Sequence, residues 1–282
     1  MRVKITSDST CDLPAELLGR YHIGIAPLLI IKDDKPYKDG VDITVKDIFE
    51  YVDSGAGMTR SSALNASDYA ELFTKWLEDC DAIVHFNLSS HFSACHQNAK
   101  IAAEEFDNVY IVDSMNLSTG SGHVVLDAAI MAEGGMAPES IVEETKRLVA
   151  LVEASFIIGS IKYLHLGGRC SGLAALGANL LKLNPCIEVR GGKMHVAKKY
   201  RGGFDKVVLQ YVADRLSNRD DIDTKRAFIT FPPGVSQRIV EAVREKALSL
   251  CKFEEVIICE AGCVISNHCG PDCIGILFYR NA

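Results

Sequence analysis

The chain has 282 residues, of which 48% are hydrophobic and 24% charged, and its formal net charge is −7. The length suits two domains of ordinary size, and the composition is that of a globular protein with a substantial core. The negative charge and the lack of a basic stripe argue against nucleic acid as a partner, and no run approaches the roughly 20 apolar residues that span a bilayer.

The first ten residues, MRVKITSDST, predict a strand that runs into a turn. They lack the apolar core of a signal peptide, so we expect a cytoplasmic protein without stable membrane insertion. The ten cysteines are then expected to be reduced thiols, because cytosolic chemistry keeps them reduced.

The first half of the chain alternates apolar strands with helices. IGIAPLLIIK, DAIVHFNL and NVYIVDS read as strands, and Thr44 and Ser67 are predicted N-caps of two helices that lie between them. Such alternation is typical of a parallel sheet that is covered on both faces. It predicts an α/β domain in this half.

Serines follow three of the predicted strands at their carboxyl ends. Ligands collect beyond the carboxyl ends of parallel strands, so these clusters predict one polar rim. The serines of this rim are Ser7, Ser9, Ser89, Ser90, Ser93, Ser114 and Ser118.

The pattern changes near residue 150. Residues 138–154 read as one long amphipathic helix that closes the first domain, and residues 173–183 as a helix of the second domain. A hairpin follows, with its turn at Gly191 and Gly192. Further strands and helices predict an α+β domain with a mostly antiparallel sheet. We therefore place the two domains at residues 1–153 and 154–282.

The last part of the chain, CEAGCVISNHCGPDC, holds four closely spaced cysteines near His268. Cysteines and histidine at short spacing are typical metal ligands, so a metal-binding regulator is one interpretation. Cysteine is also common as a small buried residue, and this interpretation is favoured because an apolar run follows directly. The four cysteines are Cys259, Cys263, Cys269 and Cys273.

Common catalytic and nucleotide-binding motifs are missing from the sequence. It contains no G-x-S-x-G elbow, no P-loop and no G-x-G-x-x-G after a strand. A hydrolase that uses Asp8, Ser9 or Ser93 with His268 stays open as an alternative. It requires a serine within hydrogen-bond reach of His268 and a carboxylate that orients the imidazole.

Several of these segments, in this order, resemble the DegV family of bacterial fatty-acid-binding proteins. The resemblance runs from Ile5 to about Tyr279. It implies two α/β domains with a long-chain fatty acid between them, no cofactor and no chemistry by the chain alone. It also implies a partner, an ATP-dependent fatty acid kinase subunit that converts the presented carboxylate to an acyl phosphate. The segments are TSDSTCDLP, RSSALNASDY, SSHFSACHQNA, YIVDSMNLSTGSG, YLHLGGRCSG, LNPCIEV, KKYRG and NHCGPDCIGILFY.

The resemblance also implies which residues meet the ligand. Ser61 or Ser62, Ser93 and His268 stand at the positions that surround the carboxylate. Arg169 and Arg201 stand at two family arginines, which we assign to the cavity mouth, the phosphoryl group or the kinase. The chain departs from the family pattern at several positions. These include Ser93-Ala94-Cys95 in place of Ser-Gly-Thr, Asn184-Pro185 in place of Lys-Pro and Gly270-Pro271-Asp272 in place of Gly-Pro-Gly.

Overall fold

The structure is a computed structural model, and it describes residues 1–169 and 183–281. Its strands are β1 Val3–Asp8, β2 Gly24–Ala26, β3 Leu29–Lys32, β4 Lys35–Lys38, β5 Arg60–Ser62, β6 Ala82–Asn87, β7 Val109–Asp113, β8 Val152–Ile158, β9 Leu183–Arg190, β10 Lys193–Arg201, β11 Ile222–Phe231, β12 Glu255–Glu260 and β13 Cys273–Arg280. Its helices are α1 Ala15–Arg20, α2 Val45–Asp53, α3 Ala66–Leu77, α4 Cys95–Ala103, α5 Ser118–Glu133, α6 Pro138–Val149, α7 Lys162–Gly167, α8 Phe204–Leu216, α9 Gln237–Leu250 and α10 Cys263–Cys269.

The first half contains a parallel sheet in the order β2-β1-β6-β7. Alternate residues of β6 serve its two faces. Ile83 joins the core under α3 and α4, and Val84 joins the core under α5 and α6. The parallel sheet with helices on both faces confirms the fold predicted for this half.

The second half contains a sheet in the order β10-β9-β8-β13-β11-β12. All its neighbouring strands are antiparallel except β11 and β12, which confirms the mostly antiparallel sheet. Strands β9 and β10 form the predicted hairpin. Gly191 and Gly192 have φ values of 54° and 75°, the left-handed conformation that a two-residue turn favours and glycine adopts without strain.

Two predicted elements differ from the structure. IGIAPLLIIK is not one strand, because Pro27 interrupts it: β2 ends before Pro27, and β3 joins a separate antiparallel sheet in the order β4-β3-β5. The helix predicted over residues 138–154 ends at Val149, and β8 begins at Val152 and pairs with β13. The domain boundary predicted after residue 153 falls within β8 and stays a prediction.

Smaller predictions have mixed outcomes. Thr44 caps α2 as predicted, but the cap of α3 is Asn65 rather than Ser67, and Asn65 forms a capping box with Asp68. The helix predicted over residues 173–183 lies outside the described residues, except for Leu183, which begins β9. Within residues 1–169 and 183–281, no helix is both long and apolar enough to cross a membrane.

Helix α5 connects the two halves. It is buried on nearly all sides, and it packs against β1 and β6 of the parallel sheet and against β8, β11 and β13 of the second sheet. Its apolar residues face both sheets, and the buried polar residues of its first turns make hydrogen bonds within the protein. One core, formed by both sheets and α5, therefore spans the two halves.

Candidate ligand-binding site

A cavity of about 60 Å³ lies between β5, the loop after β6, β10 and α10. The first half of the chain supplies residues from β5, from the loop after β6 and from the positions just before β3 and α5, and the second half supplies the rest. The lining residues are Leu28, Ser61, Ser62, Ala63, Leu88, Phe92, Ser93, Leu117, Arg169, Met194, Val264, Ile265, His268 and Cys269. The structure thus brings Ser61, Ser62, Ser93, Arg169 and His268 together around one cavity.

A second cavity of about 30 Å³ lies deeper, between α5, α10 and the second sheet. Leu117, Ile265 and Cys269 line both cavities, so the two spaces meet at these three side chains. The remaining walls of the deeper cavity include Phe156, which belongs to the same apolar cluster. The two cavities are therefore neighbours, separated by the side chains of Leu117, Ile265 and Cys269.

One polar contact in the outer cavity joins the two halves. Oγ of Ser61, in the edge strand β5, lies 2.8 Å from Nε2 of His268, in the last turn of α10. The hydroxyl of Ser62 donates to the carbonyl of Ala63, 3.3 Å away. Ser93 lies just before α4, where its Oγ accepts from the backbone N–H of Cys95 and lies 3.0 Å from its thiol.

His268 is electrically neutral near pH 7. Burial, with a smaller contribution from the positive charge of Arg169, lowers the pKa of its imidazole to about 4. Its Nδ1 is buried without a hydrogen-bond partner among the described residues. A Cβ at Gly167 would overlap Nδ1 of His268, so a glycine at this position lets α7 approach the ring closely.

The two predicted arginines lie in different places. Arg169 is exposed and lines the outer cavity directly after α7. Arg201 is exposed at the end of β10, and it is not among the residues that line the cavity. Their assignment to the mouth, the phosphoryl group or the kinase stays a prediction.

The predicted serine rim is largely occupied by internal hydrogen bonds. Of its members, Ser93 lines the outer cavity and Ser118 the deeper one. Ser7 donates to the carbonyl of Phe86. Ser9 and Ser118 donate to Asp39 and Asp12, Ser89 donates to the carbonyl of Gly192, and the hydroxyls of Ser114 and Ser121 lie 2.7 Å apart. Most of these serines therefore join elements of the protein together.

The geometry of a hydrolase is incomplete in the described part of the chain. The serine in contact with His268 is Ser61, whereas Ser93 contacts Cys95. No carboxylate within residues 1–169 and 183–281 orients the imidazole, since Nδ1 is unpartnered there. A serine nucleophile needs both a base and a group that holds the base in place.

The C-terminal cysteines are distributed over three elements. Cys259 lies in β12, Cys263 and Cys269 begin and end α10, and Cys273 begins β13. All four are free and buried. In the regions that the structure covers, no three histidine, cysteine or acidic side chains converge as a metal ion requires.

A model of a protein family described as "Uncharacterised protein, DegV family" matches residues 2–281. The chain belongs to the DegV family. A DegV domain-containing protein of Caldanaerobacter subterraneus is 30% identical over 281 residues, which cover 98% of each chain.

Two other DegV family proteins have an assigned ligand. The fatty acid-binding protein of Thermotoga maritima is 27% identical, over 98% of this chain and 96% of its own. The structure of a fatty-acid-binding DegV family protein from Thermus thermophilus has a TM-score of 0.88 and 31% identity, and it covers 99% of this chain and 100% of its own. The DegV fold thus extends over nearly the whole chain.

Proposed function

We propose that this chain binds a long-chain fatty acid. The carboxylate lies beside Ser61, Ser93 and His268, and the hydrocarbon tail extends past Ile265 into the deeper cavity. The observation that carries this proposal is the combination of neutral hydrogen-bond donors at one place and a mostly apolar cavity beside it. A ligand with one anionic head and a long apolar tail matches that arrangement.

Neutral donors suit a carboxylate that is withdrawn from water. Serine hydroxyls and a neutral imidazole N–H donate to the anion, and no cation needs to be buried with it. His268 fulfils this condition because burial keeps its pKa near 4. In its contact with Ser61, the serine hydroxyl can rotate to direct its hydrogen toward a ligand, whereas the imidazole N–H is fixed in the plane of the ring.

The deeper cavity suits an unsubstituted hydrocarbon tail. Four hydroxyl groups occur in its lining, but each bonds to the protein: Ser118 to Asp12, Ser155 to Tyr211, Thr230 to Thr119, and Ser266 to the carbonyl of Ala261. The surface left to a ligand is therefore apolar. Each methylene that is buried contributes about 0.8 kcal/mol before the costs of binding, so affinity is expected to rise with the length of tail that the protein takes up.

The relatives support the same ligand class, since the Thermotoga maritima and Thermus thermophilus proteins bind fatty acids. From the resemblance to the family we further propose that the chain is a cytoplasmic carrier without catalysis of its own. In this proposal it presents the carboxylate to an ATP-dependent kinase subunit. The exposed position of Arg169 beside the cavity supports a role at the contact with phosphate or partner.

Native mass spectrometry of the gently purified chain tests the ligand. We expect one fatty acid per protein, recovered by organic extraction and retained through gel filtration after loading with excess hexadecanoic acid. Loaded protein that elutes empty would contradict the proposal. The carrier role is tested separately: the isolated chain should neither hydrolyse esters nor consume ATP, and turnover that Ser93→Ala abolishes would favour the hydrolase.

A further inference from the structure

Helix α10 supplies four residues of the outer cavity: Val264, Ile265, His268 and Cys269. It has only seven residues, and the side chain of its N-cap, Gly262, offers no hydrogen bond to its first turn. A short helix leaves most of its first N–H groups unpaired unless other groups satisfy them. The position of His268 therefore depends on what holds this helix.

Two aspartates from the first half of the chain hold the N-terminus of α10. Asp39 accepts from the N–H of Cys263 at 2.8 Å and from that of Val264 at 3.5 Å. Asp12 accepts from the N–H of Gly262 at 2.8 Å. Both carboxylates are buried, with 5% of Asp39 and 7% of Asp12 exposed, so water does not compete for these hydrogen bonds.

Asp39 is itself fixed by the parts of the fold that line the cavity. Its Oδ2 accepts from the hydroxyl of Ser9 at 2.7 Å, and its backbone N–H donates to the carbonyl of Leu28 at 2.8 Å. Leu28 lines the outer cavity, and its own N–H donates to Ser9 Oγ. One network therefore joins the cavity wall of the first half to the start of α10.

The other end of α10 meets the strand that carries Ser61. Thr59, just before β5, donates to the side chain of Asn267, and Ser61 contacts His268. The aspartates fix the start of α10. The contacts of Asn267 and His268 at its other end therefore depend on where the aspartates hold it. If the first turn of α10 lost these hydrogen bonds and moved, His268 would move away from Ser61.

We propose that Asp39 is a positioning residue for recognition of the ligand carboxylate, which it influences by fixing the helix that carries His268. The inference rests on the proposed function for its ligand. Asp39 does not line the ligand cavity. In this inference it nevertheless determines how strongly the protein prefers an acid head group.

The test compares Asp39→Ala and Asp39→Asn with Ser236→Ala. Asp39→Ala leaves the N–H groups of Cys263 and Val264 unpaired. Asp39→Asn keeps one acceptor oxygen and replaces the other with an NH2 group, which cannot accept the hydrogen bonds that the second oxygen receives. Ser236 lines neither cavity and caps α9 by accepting from the N–H of Ile239, so Ser236→Ala removes a helix cap without removing a contact of α10. Affinities for hexadecanoic acid and its methyl ester are measured for each variant.

We expect Asp39→Ala to lower the preference for acid over ester about tenfold, with Asp39→Asn between it and the wild type. Ser236→Ala should lower the stability of the protein and leave the preference for acid over ester as in the wild type. NMR shifts of the His268 imidazole nitrogens, recorded without lipid, should change in Asp39→Ala, change by less in Asp39→Asn and stay the same in Ser236→Ala. A folded Asp39→Ala with unchanged imidazole shifts and unchanged preference would overturn the inference.

If Asp39→Ala does not fold, the Asp39→Asn variant decides the question by the same two measurements. The proposed function and the inference fail differently. Wild-type protein that binds no fatty acid contradicts the function, whereas the imidazole shifts still report whether Asp39 positions His268.

Discussion

Nε2 of His268 lies 2.8 Å from Oγ of Ser61, although 207 residues separate them in the chain. The contact joins the edge strand β5 to α10, and so the first half of the fold to the second. A ligand head group at this point touches both halves at once. The predictions below test what each side of this junction contributes.

Ser93→Ala should weaken binding of a fatty acid by about ten- to a hundredfold. A hydrogen bond to a charged group contributes roughly 1.5–3 kcal/mol. The methyl ester should lose far less, since it lacks the anion. Ser90→Ala is the matched control, because Ser90 lies on the same loop, is exposed and does not line the cavity. Displacement titrations measure both ligands, and equal acid affinity in Ser93→Ala and wild type would remove Ser93 from the site.

Arg169→Ala should leave fatty acid affinity almost unchanged and lower acyl phosphate formation with a cognate kinase subunit. The reason is that Arg169 is exposed beside the cavity, where water screens its charge from the carboxylate. Arg201→Ala should behave in the same way. Arg147→Ala is the control, since this exposed arginine of α6 pairs with Glu144. A large loss of lipid binding in Arg169→Ala would place that arginine at the carboxylate itself.

Ile265→Trp should shorten the longest fatty acid that the protein binds. Ile265 lines both cavities at their junction, so a larger side chain blocks the path of the tail while leaving the head-group pocket in place. We expect hexadecanoic acid to bind more weakly and octanoic acid to bind as before. A uniform loss across chain lengths would instead indicate damage to α10.

Gly167→Ala should weaken acid binding, because its Cβ would overlap Nδ1 of His268 and displace the ring. Gly19→Ala is a useful control: it lies in α1, and a Cβ there meets no atom within 4 Å. Calorimetric titration with hexadecanoic acid distinguishes the two. Wild-type affinity in Gly167→Ala would show that the ring has room to move without loss of binding.

Asp12→Asn should change the pH dependence of stability. Burial, against the hydrogen bond from Ser118, raises the pKa of the Asp12 carboxyl to about 8. Between about pH 4 and pH 8 the native state then binds more protons than the unfolded state, so the contribution of Asp12 to stability is lost as pH rises. Asparagine keeps the acceptor for the N–H of Gly262 and suits the φ of 50° at this position.

The free energy of unfolding in urea, measured at about pH 5 and pH 8, checks this effect. Asp12→Asn should gain stability relative to the wild type as pH rises. Asp79→Asn, at an exposed aspartate, should parallel the wild type at both values. A constant difference between Asp12→Asn and the wild type would mean that Asp12 does not titrate in this range.

Local patterns in the sequence were enough to predict the parallel sheet, the second sheet and the hairpin at Gly191 and Gly192. These features follow from periodicity and turn residues within short segments. The role of Asp39 was missed, because its partner Cys263 lies 224 residues away and an aspartate before a glycine is typical of any turn. Helix α10 was missed because seven residues rich in cysteine show too little periodicity.

The resemblance to the family singled out Ser61, Ser93 and His268, and the structure places all three at one cavity. Residue chemistry alone did not, since most serines of the rim make internal hydrogen bonds and only Ser93 and Ser118 line a cavity. A serine's position at the end of a strand predicts at which edge of the sheet its hydroxyl lies. It does not predict whether the hydroxyl points into a cavity or toward another part of the protein. The acceptor carbonyls and carboxylates of Ser7, Ser9 and Ser89 became visible only in the folded chain.

Helix α5 sets a limit on how a fatty acid enters and leaves. Because both sheets pack on this one helix, separating them would expose apolar surface on either side, at about 25 cal/mol for each Å². A hinge opening that separates the two halves therefore has a high free-energy cost. We expect exchange through small local rearrangements at the rim, with a rate that depends on side chains near the mouth and hardly on denaturants that act on the whole fold.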